Sequence, residues 1–349
     1  MSDKSRMTTP VAGLPNIRRR EPLWDRVDRN RLLLLGHLCV FAVLGAAWFG
    51  AVMLVVFLGL AVAGAATNWW LLALPLRLLA GTTWQQAALH VWTLGIVVTL
   101  LYEWVALARS ERSLLGRLGA EFVPKGERLV AKMALKDMAI AAGMPVAPAL
   151  YEVRNTNVNA FVAEALGRRP VVGVTSGFLD RLSEAEQRAV FANLVARVRC
   201  GDTRVATAIT ALMAPLQRWR TRHEAGQNAS MDREMLGYEP VNEGLEQFPL
   251  FFGIPMVVLG EIVAATHRHS QLRTAEKADA EGMLLLKDPP AMLSALERCV
   301  ELDNVVPTAG EAYGELFYCW TGDSTNDDDD PEWRRVARLR EVLGVEGWA

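Results

Sequence analysis

The sequence predicts a mainly helical α+β protein whose folded domain is carried on N-terminal transmembrane helices. Two observations support this prediction. Residues 32–66 contain no charged side chain, and a membrane span needs about 20 apolar residues. The later sequence alternates helix-period segments with short β-rich ones, which is typical of a mixed domain. The 349 residues are enough for one large or two ordinary domains with a substantial core.

Residues 32–108 are the predicted transmembrane region, and a basic N-terminal tail at 1–31 precedes it. The charge-free run 32–66 is too long for one simple helix and barely long enough for two. A second apolar run follows at 87–108, and the Trp, Pro and Arg residues of 67–86 are typical of a membrane interface. Arginines flank the region on both sides, so both flanks are expected in the cytoplasm. Two spans are favoured, with 67–86 interfacial or re-entrant, and four are also compatible.

Residues 109–349 are the predicted cytoplasmic domain. The stretches ALYEVRN, NVNAFVAE and PVVGV are strand candidates, and RLVAKMALKDMAIAAG is an amphipathic helix. Ser183 followed by Glu186 forms a capping box at the start of the next helix. Two apolar helices are expected at 205–216 and 248–265, with a polar acidic insert at 223–247 between them.

The two apolar helices are expected to pack on the domain or to lie at the membrane surface. If they crossed the membrane as a hairpin, Arg218, Arg220 and Arg222 would face the outside, against the bias of basic residues toward the cytoplasm. The chain opens with the polar residues MSDKSRMTTP, so no cleavable signal peptide is expected.

Composition limits the classes of function. The net charge of −2 gives no case for a nucleic-acid partner. None of the four cysteines forms a C-x-x-C pair, so buried or idle thiols of a reduced compartment are expected rather than a disulfide framework or a zinc knuckle. These cysteines are Cys39, Cys200, Cys299 and Cys319.

The segment RAVFANLVARVRCGD, residues 188–202, has the apolar spacing of a helix. Asn193 and Arg197 lie four residues apart, so they share one face of that helix. In zinc proteases the two histidines of H-E-x-x-H bind the metal with this same spacing. Here the five residues read N-L-V-A-R.

An ordered set of motifs resembles the membrane zinc metalloproteases that include the heat-shock protease HtpX and the CAAX prenyl protease type 1 enzymes. The matching stretches are, in chain order, Gly143-Met144-Pro145, Leu150-Tyr151, Asn159-Ala160-Phe161, Val174-Thr175-Ser176-Gly177-Phe178-Leu179, Leu182-Ser183 with Glu186, Asp202, Arg273-x-x-Glu276-x-x-Asp279, and Asp330-Pro331 with Asp for the family's His. Each stretch is weak alone, but the order is specific. The resemblance implies a gluzincin-like metalloprotease domain.

The resemblance places N-L-V-A-R at the register of H-E-x-x-H. Asn193 and Arg197 then take the two histidine positions, and Leu194 takes the position of the general base. Asparagine is a weak neutral donor, arginine has no lone pair to offer a metal, and leucine cannot accept a proton. We therefore expect no catalytic residues at these positions, no bound metal, and no zinc cofactor although the family uses one.

The resemblance implies that Glu276 is the third zinc ligand, with Asp279 and Arg273 close to it. Without zinc, a partly buried carboxylate needs another partner. We expect Arg197 and Glu276 to form an ion pair in the vacated site, with Asp279 and Asn193 hydrogen-bonded around it. The alternative is that Arg197 extends to solvent and Glu276 is simply exposed.

The function predicted from these observations is that of a membrane-anchored, catalytically inactive metalloprotease homologue, a pseudoprotease. Its partners would be the lipid bilayer and a peptide, membrane protein or protease. Asn159, Ala160 and Phe161 are the expected peptide-binding edge, because substrates of such proteases add as a strand to a sheet edge. The alternatives are a structural subunit of a membrane complex and a metalloprotease with a non-standard zinc site. The expected location is a bacterial inner or plasma membrane, with the main domain in the cytoplasm.

Overall fold

The computed structural model describes residues 23–67, 84–213, 275–309, 311–320 and 331–345. Several predicted features lie outside these residues: the tail up to residue 22, most of the interfacial stretch 67–86, the polar insert 223–247, the apolar segment 248–265, Arg273 and Asp330.

Two long helices open the described chain. Helix α1 spans Leu23–Thr67 (45 residues) and α2 spans Trp84–Leu118 (35 residues). Among the described residues, these are the two helices long and apolar enough to cross a membrane, over Asp25–Phe57 and Ala88–Leu118. The charge-free run expected to be too long for one helix therefore lies within a single helix. At 1.5 Å per residue, α1 is about 67 Å long, so it extends well beyond a hydrocarbon core of about 30 Å.

The two long helices pack closely as an antiparallel pair. A Cβ atom on Gly45 would lie 2.5 Å from Thr99 Cγ2, and one on Gly95 would lie 3.1 Å from the carbonyl oxygen of Ala46. Small residues at the crossing let helices approach each other in a membrane, where the hydrophobic effect does not drive their association.

The domain contains a four-stranded sheet in the order β1-β2-β4-β3. The strands are β1 (Glu121–Phe122), β2 (Ala149–Val153), β3 (Ala160–Ala163) and β4 (Val171–Thr175). Strands β2 and β4 are parallel, and the other pairs are antiparallel. Phe161 lies opposite Gly173, where a Cβ atom would clash with the phenyl ring. Strand β3 is thus fixed in register at one edge of the sheet.

Three helices pack around this sheet: α3 (Leu129–Ala141), α4 (Ser176–Arg181) and α5 (Glu184–Cys200). The predicted capping box at the start of α5 is present, with Ser183 N donating to Glu186 Oε2 at 2.8 Å. Helix α5 ends at Gly201, whose positive φ of 76° suits glycine. It is buried on almost every face, so it forms the centre of the domain.

The remaining elements follow α5. Residues 202–213 are helical (α6), as are 275–286 (α7). Helix α8 spans Pro289–Glu301, a short 3-10 helix spans Glu311–Leu316, and α9 spans Pro331–Leu343. Helix α5 packs against α3 and α8, and α9 packs against α8.

Helix α6 is the described part of the apolar segment expected at 205–216. Its residues Val205, Ile209 and Leu212 form a buried cluster with Phe41 of α1, and Tyr102 of α2 donates to the carbonyl oxygen of Leu212 at 3.1 Å. The prediction had this segment on the domain or at the membrane surface. The structure places it against both membrane helices, because its apolar face matches theirs.

Buried polar contacts join α1 to the domain. Arg26 forms an ion pair with Asp202, and Asn30 Nδ2 donates to Asp202 Oδ1 at 2.6 Å and to the carbonyl oxygen of Cys200 at 2.9 Å. The first turns of α1 therefore belong to the domain rather than to the membrane.

Candidate functional site

Helix α5 carries Asn193, Leu194 and Arg197, which are the first, second and fifth residues of N-L-V-A-R. The side chains of Asn193 and Leu194 are fully buried, and Arg197 is 9% exposed. Leu194 packs in the main hydrophobic core of the domain. Because α5 is buried on almost every face, each of these positions lies inside the protein rather than on its surface.

Asn193 is bound to Asp279 of α7. Its Nδ2 donates to Asp279 Oδ1 at 2.6 Å, and both groups are buried. Gly282 permits this approach, since a Cβ atom there would lie 3.0 Å from the backbone nitrogen of Asn193. Asn193 and Asp279 were expected to hydrogen-bond around an Arg197–Glu276 pair, and the structure instead joins them directly to each other.

The cation beside Asp279 is Arg335 of α9, which sequence reasoning missed. Arg335 Nε donates to Asp279 Oδ2 at 3.0 Å, and Nη2 donates to Oδ1 at 2.9 Å, so the pair is bidentate. Glu332, one turn earlier, forms a second ion pair with the same guanidinium. One sequence signal was present: Arg335 lies on the apolar face of α9 that also carries Val336 and Leu339, both buried.

Arg197 does not pair with Glu276. Its Nη1 donates to the carbonyl oxygen of Phe317 at 2.9 Å, while Glu276 is exposed and forms no ion pair with Arg197 among the described residues. The predicted Arg197–Glu276 pair is therefore wrong. Asp279 instead receives its positive partner from α9, and Arg197 is held by a backbone carbonyl.

The two buried guanidinium groups have opposite electrostatic surroundings. Burial lowers the pKa of Arg197, and the positive charge of Arg335 lowers it further. Burial also disfavours charge on Arg335, but Asp279 and Glu332 outweigh it and hold the pKa of Arg335 well above its usual value. The positive charge of Arg335 is thus balanced by Asp279 and Glu332, whereas the positive charge of Arg197 is poorly balanced.

The sheet edge beside this network is covered by residues 317–319 of the same chain. Tyr318 N donates to the carbonyl oxygen of Ala160 at 2.7 Å, and Phe317 pairs with Phe161 in an antiparallel bridge. Arg335 Nη1 donates to the carbonyl oxygen of Tyr318 at 2.8 Å. We call residues 317–319 the edge segment.

Asn159 clamps the edge segment from the side of β3. Its Nδ2 donates to the carbonyl oxygens of Cys319 at 2.9 Å and Asn304 at 2.8 Å, and its Oδ1 accepts from Cys319 N at 3.2 Å. Peptide binding at Asn159, Ala160 and Phe161 stays a prediction, and it now requires that the edge segment leave first.

Two polar atoms at the centre of the site have no hydrogen-bond partner among the described residues. They are Asn193 Oδ1, an acceptor, and Arg197 Nε, a donor, and both are buried. Most buried polar groups in proteins are paired, so each of these two exceptions needs an explanation.

Zinc does not fit the donor set found here. Within the described part of the chain, no three His, Cys, Asp or Glu side chains come together as a metal site. Arg197 stands beside Asn193 and offers a positive charge with no lone pair. The second oxygen of Asp279 is already bound by Arg335.

Comparisons with known proteins agree on one family. Residues 127–335 match the family model described as Peptidase family M48. A Protease HtpX homolog of Caldanaerobacter subterraneus is 26% identical over 224 residues, which cover 63% of this chain and 73% of the relative. One from Acidiphilium cryptum is 28% identical over 288 residues, covering 76% and 94%. No solved structure matches.

Proposed function

The chain belongs to peptidase family M48, and we propose that it is a catalytically inactive member, a pseudoprotease that acts by binding a partner. It is a membrane-anchored protease homologue with two apolar helices before its peptidase-like domain. The proposal goes further in three respects: zinc is absent, peptide hydrolysis is absent, and a membrane protein, peptide or protease binds once the edge segment moves. Its binding site would be the region around Asn193, Arg197 and the covered sheet edge, which we call the cleft.

The observation that carries this proposal is the buried Arg335–Asp279–Asn193 network with Arg197 one helical turn from Asn193. A metalloprotease needs three protein ligands on zinc and a carboxylate that accepts a proton from the bound water. At the matching register this chain has Asn193, Leu194 and Arg197. A general base alone typically contributes about 10²–10⁴-fold to the rate, and Leu194 in the hydrophobic core cannot act as one.

Binding in the cleft is supported by the two unpartnered atoms. Asn193 Oδ1 can accept one hydrogen bond, and Arg197 Nε can donate one. A peptide group carries one donor and one acceptor, so it complements this pair. The cytoplasmic orientation of the domain is also part of the proposal, and it is supported by the arginines that flank the membrane region.

A structural subunit of a membrane complex is the second candidate, and the edge segment favours it. Tyr318 occupies the backbone position at Ala160 that an added peptide strand would use. In that case the cleft is filled permanently, and only the outer surface of the domain contacts other proteins.

A reversible cross-link distinguishes the two candidates. In the double variant Ala160→Cys/Tyr318→Cys, a disulfide would lock the edge segment onto β3, while the reduced form of the same protein serves as its control. If the cleft binds a partner, oxidation abolishes co-purification of that partner from native membranes. If the protein is a structural subunit, the partner stays bound in both forms.

Hydrolysis is tested separately on the full-length protein in detergent, with unfolded casein as substrate and added zinc. The proposal predicts no cleavage. Chelator-sensitive cleavage that disappears in Glu276→Ala would contradict it.

A further inference from the structure

Strands β3 and β4 form a β-hairpin whose loop lies beside the membrane helices. Residues 164–170 join Ala163 to Val171, which are opposite each other in the sheet. Arg168 N donates to the carbonyl oxygen of Ala165 at 3.0 Å, and Gly167 has a positive φ of 72°. These two features close a tight turn. We call residues 165–169 the hairpin tip.

The base of this loop is fixed against α6. Glu164 N donates to Thr207 Oγ1 at 3.0 Å, and Glu164 Oε1 accepts from Arg204 Nε at 2.7 Å. Glu164 and Ala165 are both buried. These contacts set the direction in which the hairpin tip projects from the domain.

The hairpin tip lies at the level where α1 enters the membrane. Leu166 lines a small apolar gap together with three leucines of the long helices, Leu34, Leu38 and Leu107. Arg31 is the last charged residue before the charge-free run of α1. At 1.5 Å per residue, Leu34 and Leu38 lie about 5 and 10 Å further along the helix. Interfacial apolar side chains are buried to a similar depth, about 5–10 Å, at the boundary between headgroups and acyl chains.

The exposed side chains of the hairpin tip are apolar at its turn and basic beside it. Leu166 is 65% exposed, and Arg168 and Arg169 are exposed as well. Arg169 Nε donates to the carbonyl oxygen of Ala147 at 2.7 Å. This bond holds the guanidinium close to Val146, which is 52% exposed. Exposed apolar side chains next to basic ones are typical of segments that lie in the membrane interface.

We propose that the hairpin tip is a second membrane contact of the domain, one that selects anionic phospholipids. Leu166 enters the boundary between headgroups and acyl chains, and Arg168 and Arg169 bind lipid phosphates, whose oxygens match a guanidinium well. The bilayer is the favoured occupant because the tip adjoins both membrane helices, so the lipids around those helices reach it directly. Residues 165–169 contain no acidic side chain, so the two arginines give the tip a net positive charge.

The depth of Leu166 is measured with a nitroxide label on Leu166→Cys in the full-length protein, reconstituted in vesicles of phosphatidylcholine and phosphatidylglycerol. The background variant is Cys39→Ser, because the other three cysteines are buried. Power saturation compares collisions of the label with oxygen, which concentrates in the bilayer, and with a water-soluble nickel chelate. We expect collisions with oxygen to dominate.

Leu129→Cys is the matched control for depth. Leu129 is 57% exposed, and it follows Arg128, which pairs with Glu152 toward the opposite end of β2. A label there should collide mainly with the nickel chelate. Equal access of the chelate to both labels would overturn the proposal. Protection of the Leu166→Cys label from both reagents would also overturn it, because it would indicate a protein neighbour.

Lipid selectivity is measured in the same vesicles with a bimane fluorophore on Leu166→Cys. Quenching by brominated phosphatidylglycerol is compared with quenching by brominated phosphatidylcholine, and we expect the anionic lipid to quench more strongly. Arg168→Gln/Arg169→Gln should lower this ratio on the order of fivefold, since one basic residue near an anionic surface contributes about fivefold. Arg168→Gln alone keeps the bond from Arg169 to Ala147, so it should show part of the loss even if the double variant fails to fold.

Arg154→Gln/Arg181→Gln is the matched control for selectivity. Both arginines are exposed, and they lie beyond the ends of β2 and β4 that are farthest from the hairpin tip. The quenching ratio should be unchanged in this variant. Equal quenching by the two lipids in the wild type would overturn the proposal, as would a ratio that survives Arg168→Gln/Arg169→Gln.

Discussion

At the scale of residues, a buried carboxylate at the centre of the domain is held by hydrogen bonds and charge pairing. Asp279 accepts hydrogen bonds from Asn193 Nδ2 and from Nε and Nη2 of Arg335. The sequence predicted hydrogen bonds from Asn193 and Asp279 around an Arg197–Glu276 pair, but not the direct bond between Asn193 and Asp279. It did not predict Arg335, because Asp279 and Arg335 are 56 residues apart and the spacing of residues within a helix gives no information on such a pair.

Removal of Arg335 should be strongly destabilising, because it leaves Asp279 buried without its positive partner. We expect Arg335→Met to lower the free energy of unfolding by about 3–5 kcal/mol, measured as a lower melting temperature in detergent. Arg338→Met is the control on the same helix. Its pair with Glu341 has side chains 58% and 56% exposed, so its loss should cost less than about 1 kcal/mol. Equal effects would contradict a dominant role for the buried network.

Glu186 should make the stability of the domain depend on pH. Burial opposes its charge, but hydrogen bonds from Ser183 and Ser294 outweigh burial and hold its pKa below the usual range. The charged form therefore stabilises the folded state above the unfolded-state pKa of about 4.3, and this contribution is lost as the pH falls through the lower folded-state pKa.

Melting temperatures of the wild type and Glu186→Gln, compared from pH 7 downward, check this dependence. The advantage of the wild type should be complete at pH 7 and shrink in acid. Glu184→Gln, an exposed residue in the same turn of α5, should show little effect at any pH. A wild-type advantage that persists unchanged in strong acid would show that Glu186 acts through packing alone.

At the scale of elements, short-range sequence patterns predicted the helices and strands well. Contacts between segments that are distant in sequence were not predicted. The capping box, the strands β2, β3 and β4, and the helix that ends before Gly143 all follow from short-range patterns. The edge segment has no such pattern. Its position depends on Asn159 and on two arginines from α5 and α9, which are distant in sequence.

Asn159 should control the opening of the edge segment. Asn159→Ala removes the acceptor of Cys319 N and a donor to its carbonyl oxygen. We expect amide hydrogen exchange at Tyr318 and Cys319 to accelerate on the order of tenfold or more, since unpaired buried groups cost about 1–3 kcal/mol.

Asn157→Ala is the matched control for this exchange experiment. Asn157 donates to the carbonyl oxygen of Val305 at 2.6 Å, in the neighbouring loop, and makes no hydrogen bond to the edge segment. Exchange at Tyr318 and Cys319 should therefore be unchanged in this variant. Similar acceleration in both variants would mean that the loop around Val305, rather than the hydrogen bonds of Asn159, holds the edge segment in place.

At the scale of the whole molecule, the membrane helices and the domain form one packed unit. Composition alone predicted the membrane anchor, because helices of soluble domains rarely continue so far without a charged residue. It did not predict the junction, where Asp202 binds Arg26 and Asn30 of α1. A pair 176 residues apart in sequence depends on how α5 ends and α1 begins.

Loss of Asp202 should loosen the domain from its anchor. The Arg26 side chain is only 7% exposed, so Asp202→Ala leaves a buried charge unpaired, at a cost of about 3–5 kcal/mol. Spin labels on α1 and α5 should then report a broader distance distribution. Asp28→Ala, which breaks an exposed pair with Arg31, should leave the distribution unchanged. A broad distribution in the wild type would contradict a rigid junction.

The zinc content of the full-length protein, purified in detergent and measured by mass spectrometry before and after incubation with zinc, tests the central claim most directly. We expect no zinc above background in either sample, with the protein still folded, because Asn193 and Arg197 cannot replace two histidines. About one zinc per chain, lost in Glu276→Ala, would contradict the loss of the metal site and identify a metalloenzyme with a non-standard site.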